Sequence, residues 1–201
     1  MTSSNKFKRN EVLYFAYGSN LSSDQMLKRC PKSTPLGPAY LSGWKWIINE
    51  RGYANVVHDE AKTVTGELEE GTEKTRGVYG ILYHLHSNDE TSLDNSEGVP
   101  WAYERRFLEV EVIGDSKIAS LTNLNNTGEF VLNIPEKSLR NTVQALTYVD
   151  FKRVKPGRPK DEYIYRMNNG VKDAMMKWGL PEQYVDSVIR PFIPAETKTQ
   201  I

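Results

Sequence analysis

The stretch Val12-Leu13-Tyr14-Phe15-Ala16-Tyr17 runs without a charge into Gly18-Ser19-Asn20 and then into Ser22-Ser23-Asp24-Gln25. A short apolar run rich in aromatics predicts a strand buried in a sheet. The glycine after it admits backbone angles and close approaches that a Cβ would hinder. Ser22 to Gln25 matches a capping box, and Met26, Leu27 and Cys30 supply apolar positions at helical spacing before Pro31. The segment therefore predicts a strand, a tight turn and a helix over 23–29 whose N-terminus points back at the turn. Backbone N–H groups that no sheet ladder occupies can face a carboxylate or phosphate there. The same geometry also serves a strand-to-helix connection that binds nothing.

The 201 residues suit a single domain with a sizeable core. Lys and Arg number 26 and Asp and Glu 26, so no global field draws the chain to nucleic acid or to an anionic membrane. A small-molecule partner is expected, with no nucleic acid and no membrane, on a monomer or homodimer. Cys30 is the only cysteine, which excludes an internal disulfide and a cysteine-rich zinc site. The polar start of the chain has no signal-peptide core, and no segment approaches membrane-spanning length. The expected compartment is the cytoplasm, or the nucleus as well.

Residues 1–11 are expected to be a disordered N-terminus, 12–194 one domain and 195–201 a polar tail. Residues 39–49 read as a strand with Trp44, Trp46 and Ile48 on one face, followed by a turn at Arg51-Gly52 and a short partner strand to 57. Residues 58–76 are polar and predict a solvated excursion. Val78-Tyr79-Gly80-Ile81-Leu82-Tyr83-His84-Leu85 predicts a central strand, with Gly80 marking a bulge or a close approach. A helix from Ser87 ends near Ser96-Glu97-Gly98, and Tyr103 to Ile113 alternates as a long strand through Phe107, Val110 and Val112. Residues 145–149 return as a strand, and a Pro- and Gly-interrupted basic loop follows. Ile164, Met167, Val171, Ala174, Met175 and Trp178 recur at helical spacing until Gly179. A shorter helix follows over about 182–189.

Three segments in this order resemble the γ-glutamylcyclotransferase family: Tyr17-Gly18-Ser19-Asn20-Leu21 after a buried strand, Val78-Tyr79-Gly80-Ile81-Leu82-Tyr83, and Leu93-Asp94-Asn95-Ser96-Glu97-Gly98-Val99. Arg51 to Val57 and the helix from Gly170 to Pro181 match in character. The likeness is weakest over 58–76 and 114–145, which look like insertions. The resemblance implies an α+β fold, a small mixed β-barrel with flanking helices and a cavity at its mouth. It implies conversion of a γ-glutamyl compound to 5-oxoproline with release of an amine or amino acid, and no cofactor. It maps glutamyl binding onto Tyr17, Gly18, Ser19, Asn20 and Leu21, with Glu97 as acid and base and Tyr103 and Tyr163 at active-site tyrosine positions. A third aromatic position, in the 148–153 stretch, is left unassigned.

The implied chemistry suits these residue types. The α-amine of a γ-glutamyl group reaches its own γ-carbonyl, and well-oriented intramolecular reactions gain effective molarities of roughly 10⁵ M or more. The protein's task is then to fold the substrate, and anchoring the α-carboxylate on the amides of the turn would do so. One carboxylate can take the ammonium proton and return it to the departing amine, and an apolar setting from Val99, Trp101 and Tyr103 would raise its pKa. A backbone N–H of the turn is the expected oxyanion donor.

Glu97 equally suits an end-of-helix pairing role, and Tyr103 and Tyr163 could be core aromatics with buried hydroxyl partners. Alternative readings are a non-catalytic ligand-binding or regulatory module on the same fold, or cyclisation of a protein-linked γ-glutamyl group. His84 and His86 share a predicted strand face but lack residues to complete a metal site. The basic run from Lys152 to Lys160 carries no nucleic-acid motif, and Cys30 reads as a small packing residue.

Overall fold

The computed structural model describes residues 12–59, 77–114 and 142–196. The expectations for 1–11, for most of 58–76 and 114–145, and for 197–201 lie outside the described residues. Strand β1 (Val12–Ala16) enters at the centre of the core, and a 3₁₀ turn (Ser19–Leu21) passes the chain to α1 (Ser23–Arg29). Then come β2 (Thr34–Ser42), β3 (Trp44–Ile48), β4 (Ala54–His58) and β5 (Gly77–Leu85). Helix α2 (Ser87–Glu97), β6 (Glu104–Val112), β7 (Thr142–Val149) and α3 (Asp161–Trp178) complete the main frame. Glu182–Tyr184 adds a helical turn that continues as a π-turn over Val185–Ile189.

Five strands close a barrel in the order β1-β5-β2-β6-β7. Four of its pairings are antiparallel, and the closing contact between β1 and β7 is parallel, with Tyr14 opposite Leu146. This is the mixed barrel with flanking helices that the resemblance implied. Strand β5 pairs on both sides, with β1 and β2, and its burial on both faces explains its nearly unbroken apolar run. A Cβ on Gly80 would come within 2.5 Å of the Ala16 carbonyl oxygen, so the expected close approach is a contact with β1.

The structure corrects the reading in three places. Residues 39–49 are two strands, because Gly43 turns the chain at φ 81° and sends Trp44 out of the barrel into a separate hairpin with β4. Phe107 is 55 % exposed while Val110 and Val112 are buried. It has the opposite parity from them, so it points away from the barrel interior. Leu27, at 63 % exposed, does not join Met26 and Cys30 in the core.

Buried polar groups fasten the hairpin to the barrel end. Asn49 Nδ2 donates to Asp150 Oδ2 at 3.0 Å, Asn55 Nδ2 donates to the Asp150 carbonyl at 2.8 Å, and the Asp150 N–H donates to Asn55 Oδ1 at 2.9 Å. Arg153 completes the cluster with an ion pair to Asp150 at 2.6 Å. Asn49, Asn55 and Asp150 are all buried, and these bonds satisfy them. Helix α3 buries Tyr163, Met167, Val171 and Ala174, with Ile164, Met175 and Trp178 half-buried beside them.

Candidate active site

A cavity of about 230 Å³ opens where the turn after β1, the β3–β4 hairpin, the end of α2 and the start of α3 meet. Tyr17, Gly18, Ser19, Asn20, Glu97, Tyr103 and Tyr163 all line it. Leu21, the other residue assigned to the turn's binding role, is fully buried and packs against Gly170 of α3. It holds the turn from below and has no part in the cavity wall.

Glu97 is the last residue of α2. Gly98 follows in the left-handed region at φ 67°, which ends the helix there and closes it with Gly98 N–H to Asn95 O and Val99 N–H to Asp94 O bonds. Glu97 Oε1 accepts from Asn20 Nδ2 at 3.0 Å and from Arg29 Nη1 at 3.3 Å. The Asn20 amide is locked, since Nδ2 also donates to Tyr14 Oη while Oδ1 accepts from Gln25 Nε2 and Arg29 Nη1. The Glu97 side chain is 16 % exposed. Burial pushes its carboxyl above the ordinary glutamate range, although Arg29, the Asn20 hydrogen bond, Arg166 and Arg51 all pull it down. Trp101, expected to help raise it, is 81 % exposed and lies outside the cavity wall. The walls beside Glu97 are instead tyrosines 14, 17, 103 and 148.

The turn itself is built differently from the expectation. Gly18 has an ordinary φ of −110°, so no special angle demands glycine. What demands it is Tyr163, whose hydroxyl would lie 2.9 Å from a Cβ at position 18. That hydroxyl accepts from the Ser19 N–H at 3.3 Å. The Leu21 and Ser22 amides close the 3₁₀ turn on Gly18 O and Ser19 O. No described residue accepts from the Gly18 or Asn20 N–H.

Nor does the α1 N-terminus serve as an anion site. Asp173 of α3 accepts from the Ser23 N–H at 2.6 Å and Ser22 Oγ from the Gln25 N–H at 3.2 Å, so protein groups occupy those donors. The capping box is half formed, because Gln25 turns its side chain to Ser19 Oγ and Asn20 Oδ1 instead of back to the cap.

The tyrosines have definite partners. Tyr17 Oη donates to the Tyr148 carbonyl, Tyr103 Oη to the Ala54 carbonyl at 2.7 Å, and Tyr148 Oη to Asp94 Oδ1 at 2.7 Å. Burial raises all four of Tyr14, Tyr17, Tyr103 and Tyr148 well above the usual phenol range, and Tyr163 to about 12, so they remain neutral hydrogen-bonding groups. Tyr148, the first residue of the 148–153 stretch, lines the cavity.

Sequence reading missed Tyr14, Tyr53 and three cations, Arg29, Arg51 and Arg166. Arg29 and Arg166 had a signal. Arg29 lies on α1 close behind the turn, and Arg166 is one helical turn after Tyr163 on α3. Arg51 had only its place beside the hairpin glycine. Elsewhere, His86 leaves the β5 face to cap α2, its Nδ1 accepting from the Asn88 N–H. Among the described residues no cluster of three His, Cys, Asp or Glu side chains is placed to hold a metal. Cys30 is buried at the end of α1 with its thiol pushed up to about 12, as a packing residue would be. Among the described residues no helix is long and apolar enough to cross a membrane.

Comparison with curated proteins returns no match. Solved structures share the fold. One is an uncharacterised human protein, 19 % identical, with a TM-score of 0.61 over 96 % of this chain and 94 % of its own. Another is a gamma-glutamyl cyclotransferase, 18 % identical, with a TM-score of 0.61 over 96 % and 93 %. A yeast gamma-glutamyl cyclotransferase specific to glutathione is 14 % identical, with a TM-score of 0.55 over 90 % and 95 %. The sequence model described as gamma-glutamyl cyclotransferase, AIG2-like, matches residues 14–149, which run from β1 through the turn, Glu97 and Tyr103 to the end of β7. With that match spanning most of the chain, this protein belongs to the AIG2-like gamma-glutamyl cyclotransferase family.

Proposed function

We propose that the protein is a γ-glutamylcyclotransferase that converts a γ-glutamyl amino acid or amine to 5-oxoproline and the free amino acid or amine. The observation that carries this reading is the position of Glu97, a buried carboxyl with a raised pKa held by Asn20 of the turn inside a cavity of about 230 Å³. A carboxyl whose pKa is raised by burial holds a proton more readily than an exposed one and so suits accepting a proton and giving it back.

In this mechanism the turn and Arg166, which donates to Ser19 Oγ at 2.8 Å, hold the glutamyl end of the substrate. Glu97 takes a proton from the α-ammonium, and the amine attacks the γ-carbonyl carbon. As the ring C–N bond forms, the γ-carbonyl oxygen gains charge, which an N–H of Gly18 or Asn20 stabilises. The old C–N bond then breaks. Two protons leave the attacking nitrogen and two reach the departing one, so a single carboxyl that accepts and returns protons balances the reaction with nothing consumed. Arg29 keeps the Glu97 carboxylate oriented while the apolar and tyrosine walls keep it desolvated.

Incubation with γ-glutamyl-alanine, γ-glutamyl-lysine isopeptide and glutathione tests the reading. Release of 5-oxoproline from at least one of them is the expected result. Binding by calorimetry with no product from any would instead assign the cavity to a ligand-binding module.

A further inference from the structure

The cavity carries more positive charge than Glu97 can use. Three arginines line it, Arg29, Arg51 and Arg166, against the single carboxylate of Glu97. Two of the three are engaged by the protein. Arg29 pairs with Glu97 and Asn20, and Arg166 donates to Ser19, Gln25 and Glu162. Arg51 is different. Its Nη1 is buried and has no acceptor among the described residues. A buried, unpaired Nη1 donor on a half-buried arginine is costly unless something with complementary charge arrives to accept from it.

Arg51 is also held in place before any ligand arrives. Its guanidinium carbon lies 5.4 Å from the ring centroids of both Tyr53 and Tyr103. Its backbone N–H donates to Asn49 Oδ1 at 3.0 Å, and Asn49 is tied in turn to buried Asp150. Tyr103 is pinned to the same hairpin through the Ala54 carbonyl. A guanidinium stacked on aromatic rings with an open Nη1 donor is placed to bind a carboxylate oxygen.

Charge arithmetic then separates the candidate substrates. With Glu97 ionised, the lining groups sum to two net positive charges. A γ-glutamyl amide of a simple amine brings one carboxylate, for the turn, and one α-ammonium that offsets it, so it adds no net charge. A γ-glutamyl-α-amino acid brings a second carboxylate directly beside the scissile nitrogen. In a lysine isopeptide the second carboxylate sits at the far end of a four-carbon stem. Resting on the cyclotransferase reading, we propose that Arg51, clamped between Tyr53 and Tyr103, binds the carboxylate of the departing amino acid and so selects γ-glutamyl-α-amino acids over γ-glutamyl amines.

The test compares γ-glutamyl-alanine with γ-glutamyl-alaninamide, which differ only in that carboxylate, by 5-oxoproline release and by calorimetric binding. Wild type is expected to favour the acid in kcat/KM by roughly ten- to a hundredfold, the range for a charged hydrogen bond lost. In Arg51→Gln that ratio collapses towards one, with the acid's loss falling on KM more than on kcat. Arg51→Lys keeps part of the preference. The wild-type ratio and the Lys variant decide the matter even if the Gln variant does not fold. Equal turnover of acid and amide by wild type overturns the inference and leaves the cyclotransferase reading standing. An Arg51-dependent preference in binding, with no product from these compounds, the lysine isopeptide or glutathione, supports the carboxylate site and overturns the cyclotransferase reading. Binding of neither compound overturns the inference, while the cyclotransferase reading falls only if the lysine isopeptide and glutathione also give no product.

Discussion

Glu97 and Arg51 line the same cavity, yet the protein treats their charges in opposite ways. Glu97 is met by Asn20 and Arg29, and each of those is held by further partners, so the carboxylate is positioned as completely as a core group. Arg51 is positioned just as firmly by stacking on two rings, but its Nη1 is left without an acceptor among the described residues. The difference separates two kinds of work. A group that moves protons needs a fixed place and a tuned pKa, whereas a group that recognises a ligand needs donors that the protein does not consume. The Arg105 cluster is a useful contrast, because Arg105 is fully engaged with Glu90 and Asp94 and only braces α2 against β6.

The sharpest way to break the comparison is Glu97→Gln. It keeps the shape and an acceptor for Asn20 but removes the base, so kcat should fall by about 10²–10⁴-fold while substrate still binds. Turnover close to wild type would take the proton-transfer role away from Glu97.

Asp150→Ala attacks the other side. It removes the buried carboxylate that accepts from Asn49 Nδ2 and pairs with Arg153, while the Asn55 bonds run to the Asp150 backbone and remain. Because Arg153 stays partly in water, a loss of about 3 kcal/mol is expected, at the low end for breaking a buried pair. Urea unfolding measures it. The discrimination between γ-glutamyl-alanine and its amide should weaken too, because the hairpin that carries Arg51 loses its fastening. A stability change within error would mean that the cluster is not what holds the hairpin.

Gly18→Ala brings a Cβ to within 2.9 Å of the Tyr163 hydroxyl, a group held by its bond to Ser19 and by its edge contact with Tyr53. Overpacking of this kind costs about 1–3 kcal/mol. Adding Tyr163→Phe should restore part of the thermal stability. No recovery in the double variant would place the strain elsewhere.

The smallest effect is the pH dependence. Glu97 must be ionised to accept a proton, and its pKa lies above the ordinary value, so kcat/KM should fall as pH drops through a midpoint above about 4.3, the unperturbed glutamate pKa. The linkage to stability has the matching sign. A carboxyl whose folded pKa is raised favours the folded state below its unfolded pKa, and that contribution is lost as pH rises through the folded value. Glu97→Gln should therefore melt at or above the wild-type temperature at neutral pH, with the gap closing in acid. A limb at or below the ordinary glutamate range would contradict the role of burial.

Much of the frame was legible because it is written in local patterns. The doubly paired strand β5 is an unbroken apolar run, the α3 periodicity runs to Gly179, and Gly98 marks the end of α2. The break between β2 and β3 was not legible, because apolar residues run on across Gly43 while the partner strand changes from β5 to β4. Glu97 and the turn could be named as a pair, but the residues that tune them could not. Arg29, Arg51 and Arg166 are ordinary surface residues by type, and only the folding of three distant elements onto one cavity turns them inward.

By itself the sequence set out most of the strands and helices in order and named the two residues, Asn20 and Glu97, that now share a hydrogen bond across 77 positions, while the barrel was what the resemblance of its motifs implied. Hydrophobic periodicity, turn residues and an ordered set of motifs carry that information, because each acts over a few neighbours. Tertiary structure alone decided why Gly18 must be glycine, that Asp173 and not a ligand takes the α1 N-terminus, and that Arg51 keeps an open donor. Those facts depend on space and charge between groups far apart in the chain, and a linear pattern holds no record of either.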